Sequence, residues 1–300
     1  MTRRGFIKGL LGVILAGFFA ATYGFFIEPA LRLRVKRWRI KRDDWTAPPL
    51  RIALLADLHA GKPFPDLSRM RQVVTRTNAL DADLVLLLGD YAAGHAFTSE
   101  PVDIAELAPV LADLKAKHGV FAILGNHDWW DDPEAQRRRA GPNIFAQTLE
   151  TNGIPVFSNQ VRKIEGAGVW LAGLEDQLAF RRKGGGFEGL HDLEGTLSQL
   201  ADDGAPVVMM AHEPDIFVNV PDRVALTVSG HTHGGQVRVF GYSPRVPSRF
   251  GNRFAYGHVR EEGRDLVVAG GIGCSILPVR FGVVPEITVV EISGTDKGTA

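Results

Sequence analysis

Asp57-Leu58-His59, Gly89-Asp90, Gly125-Asn126-His127-Asp128, His212 and Gly230-His231-Thr232-His233 set carboxylate, amide and imidazole groups at the ends of apolar runs. Asp57 and His59 stand two apart, as do His231 and His233. Residues two apart in extended backbone fall on one side of the chain, where both can reach one ion. Asp90 can bridge two ions through its two oxygens, and Asn126 offers a neutral amide oxygen. His212, His231 and His233 add imidazole nitrogen. Hard oxygen mixed with borderline nitrogen, and no thiolate, suits Mn²⁺, Fe, Zn²⁺ or Co²⁺ better than Ca²⁺. Two such ions side by side most often serve hydrolysis of a phosphate ester or anhydride. Seven polar groups buried at strand ends without counter-ions would be costly, so ligation is the stronger reading of Asp57, His59, Asp90, Asn126, His212, His231 and His233.

The neighbours extend this site. His127 is not needed as a ligand. Beside Asn126 it can stand at a leaving group as general acid or charge stabiliser, with Asp128 fixing its ring through the other nitrogen. Gly234 and Gly235 let backbone pass close to the ions. Trp129-Trp130 can stack on a substrate ring or cover the cleft, although plain packing explains the pair at least as well. Arg245, Arg249, Arg253 and Arg280 can clamp a second phosphate. Most of these read as surface residues, and Arg280, between Pro278 and Pro285, is the best candidate. Nothing stands at ligand spacing from His95, His118, His191 or His258, and a capping or core role is the plainer reading.

The elements that position these residues follow from the apolar pattern. Runs at 51–56, 83–88 and 120–124 read as buried strands, and each ends at a ligand block. Between them, Leu67, Met70, Val73, Val74, Thr77 and Leu80 have helical spacing, as do residues 104–117. Strand–helix–strand alternation implies parallel pairing with helical crossovers, and the carboxyl ends of such strands are the usual place for chemistry. The second half is richer in strands, at 168–173, 206–211, 223–228, 237–240, 254–259, 266–269 and 286–292. A helix is expected at 193–200 and a surface loop at 177–192. The expected fold class is α/β (α+β), with two packed mixed sheets flanked by helices in one domain.

The chain has 300 residues and no net charge, but residues 1–48 carry ten Lys/Arg against three Asp/Glu. The remainder, with 34 − 10 = 24 basic and 34 − 3 = 31 acidic residues, is net −7. An acidic body argues against nucleic acid as the main partner. The single Cys274 rules out an internal disulfide and reads as a small buried thiol.

Thr2-Arg3-Arg4-Gly5-Phe6-Ile7-Lys8 precedes an uncharged stretch from Gly9 to Ile27. The paired arginines with Phe and Lys resemble a twin-arginine export signal, read by the twin-arginine translocase. The stretch is also near the ~20 residues that span a bilayer, and only Ala20-Ala21-Thr22 is a weak cleavage site, so an uncleaved anchor is the companion reading. Seven basic residues follow between Arg32 and Arg42. The positive-inside rule would put that flank, and the body with it, on the cytoplasmic face. The more specific arginine motif favours export to the periplasmic side of a bacterial inner membrane. Residues 31–40 nearly alternate apolar and basic, which suits a charged edge strand better than a strip on lipid headgroups.

Taken in order, the ligand blocks resemble those of the calcineurin-like metallophosphoesterases, across roughly residues 50–290. His212-Glu213-Pro214-Asp215 and Ser229 to Gln236 further resemble the bacterial branch with N-terminal signals or anchors, which includes enzymes similar to UDP-diacylglucosamine pyrophosphohydrolases of lipid A synthesis. The resemblance implies the phosphoesterase sandwich and two metal sites: Asp57, His59 and His233 on one ion, Asn126, His212 and His231 on the other, and Asp90 between them. It implies hydrolysis of a phosphate ester or pyrophosphate by attack of a hydroxide shared by the metals, on a phosphorylated small molecule or lipid. Where many members carry an Asp soon after the Gly-Asp block, this chain has Tyr91-Ala92-Ala93-Gly94-His95. The expected organisation is a signal or anchor over 1–28, a basic edge strand and linker over 29–49, the metallophosphoesterase domain over 50–292 and a tail over 293–300. The rival readings are a non-catalytic metal-binding scaffold and a membrane-presented binding module.

Overall fold

The computed structural model describes residues 2–92 and 97–295. Eleven strands build its two main sheets. In chain order they are β1 (Arg34–Arg42), β2 (Leu50–Leu55), β3 (Leu84–Leu87), β4 (Val120–Ala122), β5 (Gln160–Ile164), β6 (Val169–Gly173), β7 (Val207–Met210), β8 (Val224–Ser229), β9 (Gly257–Glu261), β10 (Arg264–Val268) and β11 (Glu286–Gly294). The first sheet has the order β1-β11-β2-β3-β4 and the second β9-β10-β8-β7-β6-β5. In the first, β2, β3 and β4 run parallel. In the second, β6, β7, β8 and β10 run parallel.

The parallel pairing follows from the crossovers. Helix α2 (Leu67–Asn78) joins β2 to β3, and α3 (Ile104–Leu111) lies between β3 and β4. Asp66 caps α2 by accepting from the Arg69 amide at 2.9 Å, and the buried Met70, Val73, Val74 and Thr77 form the stripe that packs on the sheet. Strands covered on both faces should read as unbroken apolar runs, and these do. Ile52, Leu54, Leu84 and Leu86 face the second sheet together with Val208, Met210 and Val228. Ala53, Leu55, Val85 and Leu87 face the helices. Val207 and Met209 turn to the outer layer with Ile216 and Phe217. The result is a helix–sheet–sheet–helix sandwich.

Strand β1 is the edge of the first sheet, paired with β11 from Arg34–Glu286 to Arg42–Gly294. The basic edge strand expected here is therefore present, over Arg34–Arg42, and Ser293 and Gly294, assigned to the tail from sequence, pair with it. Residues 296–300 of that tail, and His95, lie outside the described residues. The basic side chains of β1 meet acids of the domain: Arg34 bonds Glu286 at 2.8 Å, Arg39 bonds Glu291 at 3.0 Å and Arg42 bonds Asp265 at 2.5 Å.

Three expected elements differ. The helix foreseen over 104–117 stops at Leu111, where the amides of Asp113 and Leu114 bond back three residues, to Val110 and Leu111, instead of four. Residues 237–240 make no strand, since Val239 and Tyr242 fold back on each other around Phe240 and Gly241, both with positive φ. The strand expected from Phe254 begins at Gly257.

The N-terminal helix α1 (Arg3–Thr22) continues through a wider turn to Leu31. The run of 29 residues contains an 18-residue stretch of mean hydropathy 2.1 and is long and apolar enough to cross a bilayer. No residue of α1 itself is buried. Its distal end docks on the domain: the Arg280 amide donates to the Gly24 carbonyl at 2.9 Å, and Tyr23 meets Phe281 edge-on at 5.9 Å.

Candidate metal centre

The seven sequence-derived ligand positions converge at the carboxyl ends of five parallel strands. Asp57 and His59 follow β2, Asp90 follows β3, and Asn126 opens the short helix α4 (Asn126–Trp130) after β4. His212 follows β7, and His231 and His233 follow β8. The backbone there is not extended. Asp57, His59, Asp90, His231 and His233 have φ of 51°, 38°, 60°, 67° and 51°. Left-handed backbone is uncommon outside glycine and costs of order 1–3 kcal/mol per residue. The expectation that an extended chain puts Asp57 and His59 on one side is therefore replaced: a left-handed kink at each turns both side chains inward.

Two groups of side chains result. Asp57, His59, Asp90 and His233 have ligand atoms within 4.8 Å of one another, as do His212, Glu213 and His231. Asp90 stands between the groups, its Oδ2 3.4 Å from His59 Nε2 and 3.3 Å from His212 Nε2. Asn126 Oδ1 lies 2.8 Å from His231 Nδ1. Close approach of the loops depends on Gly125, where a Cβ would fall 2.4 Å from Asp90 Oδ1.

The hydrogen bonds fix how the rings face. Nδ1 of His59, His212 and His233 lies 3.2, 2.6 and 3.3 Å from the carbonyls of Ala92, Leu88 and Gly273. A carbonyl only accepts, so the His59 and His212 rings donate there and turn Nε2 inward, the arrangement of a ligating histidine; His233 Nδ1 lies between the Gly273 carbonyl and the Arg280 guanidinium, and its Nε2 also faces the site. Nε2 of His59 and Nε2 of His233 are 3.2 Å apart. Asp57 Oδ2 and His212 Nε2 are buried without any partner. Facing ring nitrogens and orphaned buried polar atoms are what divalent cations would satisfy, so the residues fit divalent metal.

Ionisation is shaped by the same crowding. Burial opposes the charged carboxylate of Asp90, but the nearby His212 and His127 outweigh it and hold Asp90 well below the usual carboxylate range. Burial likewise lowers His212, but Asp90 pulls it well above its ordinary value. His233 is pushed well down, by burial and then by the charges of His59 and Arg280.

His127 sits at the open side, its side chain 18% exposed. Its ring is edge-on to that of His59 at 4.9 Å and 5.1 Å from that of Trp130. Burial lowers its pKa to about 4. Asp128 does not fix this ring as expected. Its carboxylate accepts from the amides of Asp90, Tyr91 and Gly125 at 2.8, 2.9 and 2.8 Å. A helix that starts at Asn126 turns Asp128 back across its own N-terminus, so Asp128 ties the Asp90 loop to the Asn126 loop. Burial and the charge of Asp90 push it up to about 7. Asp131 Oδ2 lies 3.9 Å from His127 Nδ1, and Asp90 Oδ1 accepts from the His127 amide at 2.8 Å.

Arg280 is also placed differently. It is fully buried, and its guanidinium donates to the carbonyls of Gly273, Gly270 and Val283. Nη2 lies 3.3 Å from His233 Nδ1. No face is left for a second phosphate; Arg280 instead braces His233 and the 270–283 loop from behind. Arg249 and Arg253 pair with Asp215 and Glu261, and His258 pairs with Asp265 at 2.6 Å. Trp129 is core, donating to Glu175 at 3.1 Å. Trp130 walls the site beside His127, stacked on Phe187 at 5.0 Å with Arg181 over it at 4.5 Å. The expected 177–192 loop carries these two residues on a small hairpin, Phe180–Arg181 with Phe187–Glu188.

The sequence reading missed Glu213. It is buried beside His212 and His231, with Oε1 unpartnered, and it faces Asp176, whose Oδ2 is also unpartnered. Burial and then the charge of Glu213 raise Asp176 well above its ordinary value. Adjacency to His212 was the one available signal for Glu213; no spacing pointed to Asp176.

Residues 50–235 match the family model described as calcineurin-like phosphoesterase. The uncharacterized metallophosphoesterase YkuE of Bacillus subtilis is 28% identical over 99% of both chains. The phosphodiesterase YaeI of Escherichia coli K12 is 27% identical over 97% of this chain and 99% of its own length. A Danio rerio protein named for a transmembrane chain with a metallophosphoesterase domain is 29% identical, over 81% of this chain and 53% of its own length.

Proposed function

The chain belongs to the calcineurin-like phosphoesterase family, and on that premise we propose that it is a dinuclear metal-dependent hydrolase of a phosphate ester or pyrophosphate carried by a lipid. One observation carries the reading: the inward-facing Nε2 atoms of His59 and His233, 3.2 Å apart, beside a shared Asp90. Asp57, His59 and His233 would hold one divalent ion and Asn126, His212 and His231 the other, with Asp90 common to both. Manganese, iron, zinc and cobalt suit this donor set. When bound, such a pair supplies Lewis acidity toward phosphoryl oxygen and a water acidic enough to attack phosphorus near neutral pH.

The chain's own residues do the rest. The left-handed turns hold the ligands before substrate arrives, so no reorganisation accompanies the reaction. His127, neutral at pH 7 with its pKa lowered to about 4, donates a ring N–H to the leaving-group oxygen at the open side. Asp128 keeps the two loops in register. Trp130, Phe187 and Arg181 bound the approach to His127.

The diester class is supported by the name of YaeI. Membrane attachment is supported by the 29-residue apolar helix and the vertebrate relative's name. For the exported side the support is Arg3-Arg4. The opposing charge argument weakens because Arg34, Arg39 and Arg42 are paired within the domain. A carboxyl-terminal reporter fusion, with and without Arg3→Lys and Arg4→Lys, tests the topology; activity of a cytoplasm-only reporter in the unaltered chain rejects export.

Asp90→Asn tests the chemistry. The variant should fold, bind less metal and lose hydrolysis of an aryl phosphate diester. Normal turnover rejects the mechanism, and a metal-loaded wild type inert toward esters and anhydrides supports the scaffold reading instead.

A further inference from the structure

The loops behind His233 end in exposed apolar side chains beside the docked end of the N-terminal helix. Val239, Phe240 and Tyr242 are 45%, 105% and 62% exposed, and Ile276 and Leu277 are 59% and 42% exposed. Isolated exposed apolar residues are ordinary on a protein surface; a contiguous patch of large ones is not. These five belong to one knit unit. Gln236 donates to the carbonyls of Leu277 and Val279 at 2.8 Å, and the Arg238 amide donates to Phe281 at 2.7 Å. The next residues, Val279 to Phe281, hold the helix through Gly24 and Tyr23. Phe25, Phe26 and Leu31 on that helix end are exposed as well.

We propose that this rim, Val239-Phe240-Gly241-Tyr242 with Ile276-Leu277, inserts shallowly into the same lipid bilayer that the N-terminal helix crosses. The inference rests on the reading of that helix as an uncleaved anchor. Continuity with the anchor names the occupant: a helix end fixed to the 279–281 segment carries the 239–242 and 276–277 tips to the membrane surface with it. Charge agrees. From 231 to 260 the sequence has five arginines and no Asp or Glu, and from 266 to 285 it has Arg280 and no acid. Arg249 and Arg253 are paired with Asp215 and Glu261, but the tip segment 236–245 itself carries Arg238 and Arg245 and no acid, which suits anionic headgroups that repel carboxylates and attract arginine. Tyr242, with an apolar ring and a polar tip, is a type found at that boundary.

The rim also bears on the site. Hairpin 237–242 begins four residues after His233, and Ser243 donates to the Gly234 carbonyl at 2.7 Å. The 271–281 loop carries the Gly273 carbonyl that faces His233 and the Arg280 that braces it. Insertion at the tips therefore fixes how far the site stands from the lipid surface.

The test uses the full chain in phosphatidylcholine vesicles containing phosphatidylglycerol. Phe240→Cys and, at the far end of the sandwich, Asp202→Cys are each labelled with an environment-sensitive dye in a Cys274→Ser background. The label at 240 should be quenched by nitroxides on the lipid chains and shielded from aqueous iodide, and the label at 202 should show the reverse. Equal iodide access at both sites overturns the proposal. Shielding from iodide without lipid quenching overturns it too, and assigns the rim to a second copy of the chain. Phe240→Asp with Ile276→Asp should leave turnover of a soluble aryl phosphate diester unchanged and reduce turnover of a vesicle-borne phosphate lipid by about tenfold. Loss of the soluble activity in the unaltered chain would instead reject the hydrolase reading, whatever the labels report.

Discussion

Two buried clusters of acid and histidine stand at different places in this sandwich. At the β1–β10 edge, Asp265 accepts from Arg42 at 2.5 Å and meets His258 at 2.6 Å, and Arg42 also bonds Asp44 and the Gly263 carbonyl. Both oxygens of Asp265 are matched. At the strand ends, Asp90 Oδ2 lies 3.4 and 3.3 Å from His59 and His212, too far for strong bonds, and Asp57 Oδ2 and His212 Nε2 have no partner. The first cluster sits on strand backbone; the second carries five non-glycine residues with positive φ. Residue type does not separate them. Unmatched lone pairs and strained backbone do, and those are the marks of a site built to receive something.

The largest effect expected is at the unmatched cluster. Asp90→Asn should cut diester turnover by on the order of 10³-fold or more, with less metal bound, while the melting temperature of metal-free protein does not fall. A large loss of metal-free stability would show that Asp90 is structural and erase the contrast. Asp265→Ala should behave oppositely. It leaves Arg42 the Gly263 carbonyl and Asp44, which is 60% exposed, and should lower unfolding stability by about 3 kcal/mol by denaturant titration, with kcat and, by elemental analysis, metal stoichiometry intact. Next in size, His127→Ala should lower kcat by about 10²-fold without changing bound metal; a parallel loss of metal would make His127 a ligand instead.

The smallest effect is a pH dependence confined to the matched cluster. Burial raises Asp265, but hydrogen bonds from His258 and Arg42 outweigh it and leave its pKa below the ordinary 3.8. A depressed carboxylate contributes stability that is complete above its unfolded pKa and lost as pH falls through the folded one. Metal-free wild type should therefore lose stability below about pH 4 more steeply than Asp265→Asn. Equal slopes would remove Asp265 from the account.

Much of this was legible in one dimension. Strands covered on both faces leave unbroken apolar runs, and the ligands follow those runs directly, so Asp57, Asp90, Asn126 and His212 could be placed at strand ends. Asp128 and Arg280 could not be read correctly. A carboxylate beside a histidine in sequence invites a pairing, yet the turn of α4 sends Asp128 to three backbone amides. An arginine between prolines looks like loop surface, yet the 270–283 segment wraps its guanidinium in carbonyls. Glu213 stood next to a ligand and carried no spacing of its own.

The chain's own order of residues determined which donors exist, that they are oxygen and nitrogen without thiolate, and that each closes a buried strand. Those are properties of type and of apolar period. Which lone pairs meet was decided only by the packing of the two sheets, because His59 and His233 are 174 residues apart in sequence and 3.2 Å apart in space. Ligation and positioning depend on angles and on the partners left unmatched, and these arise when loops from separate strands close on one another.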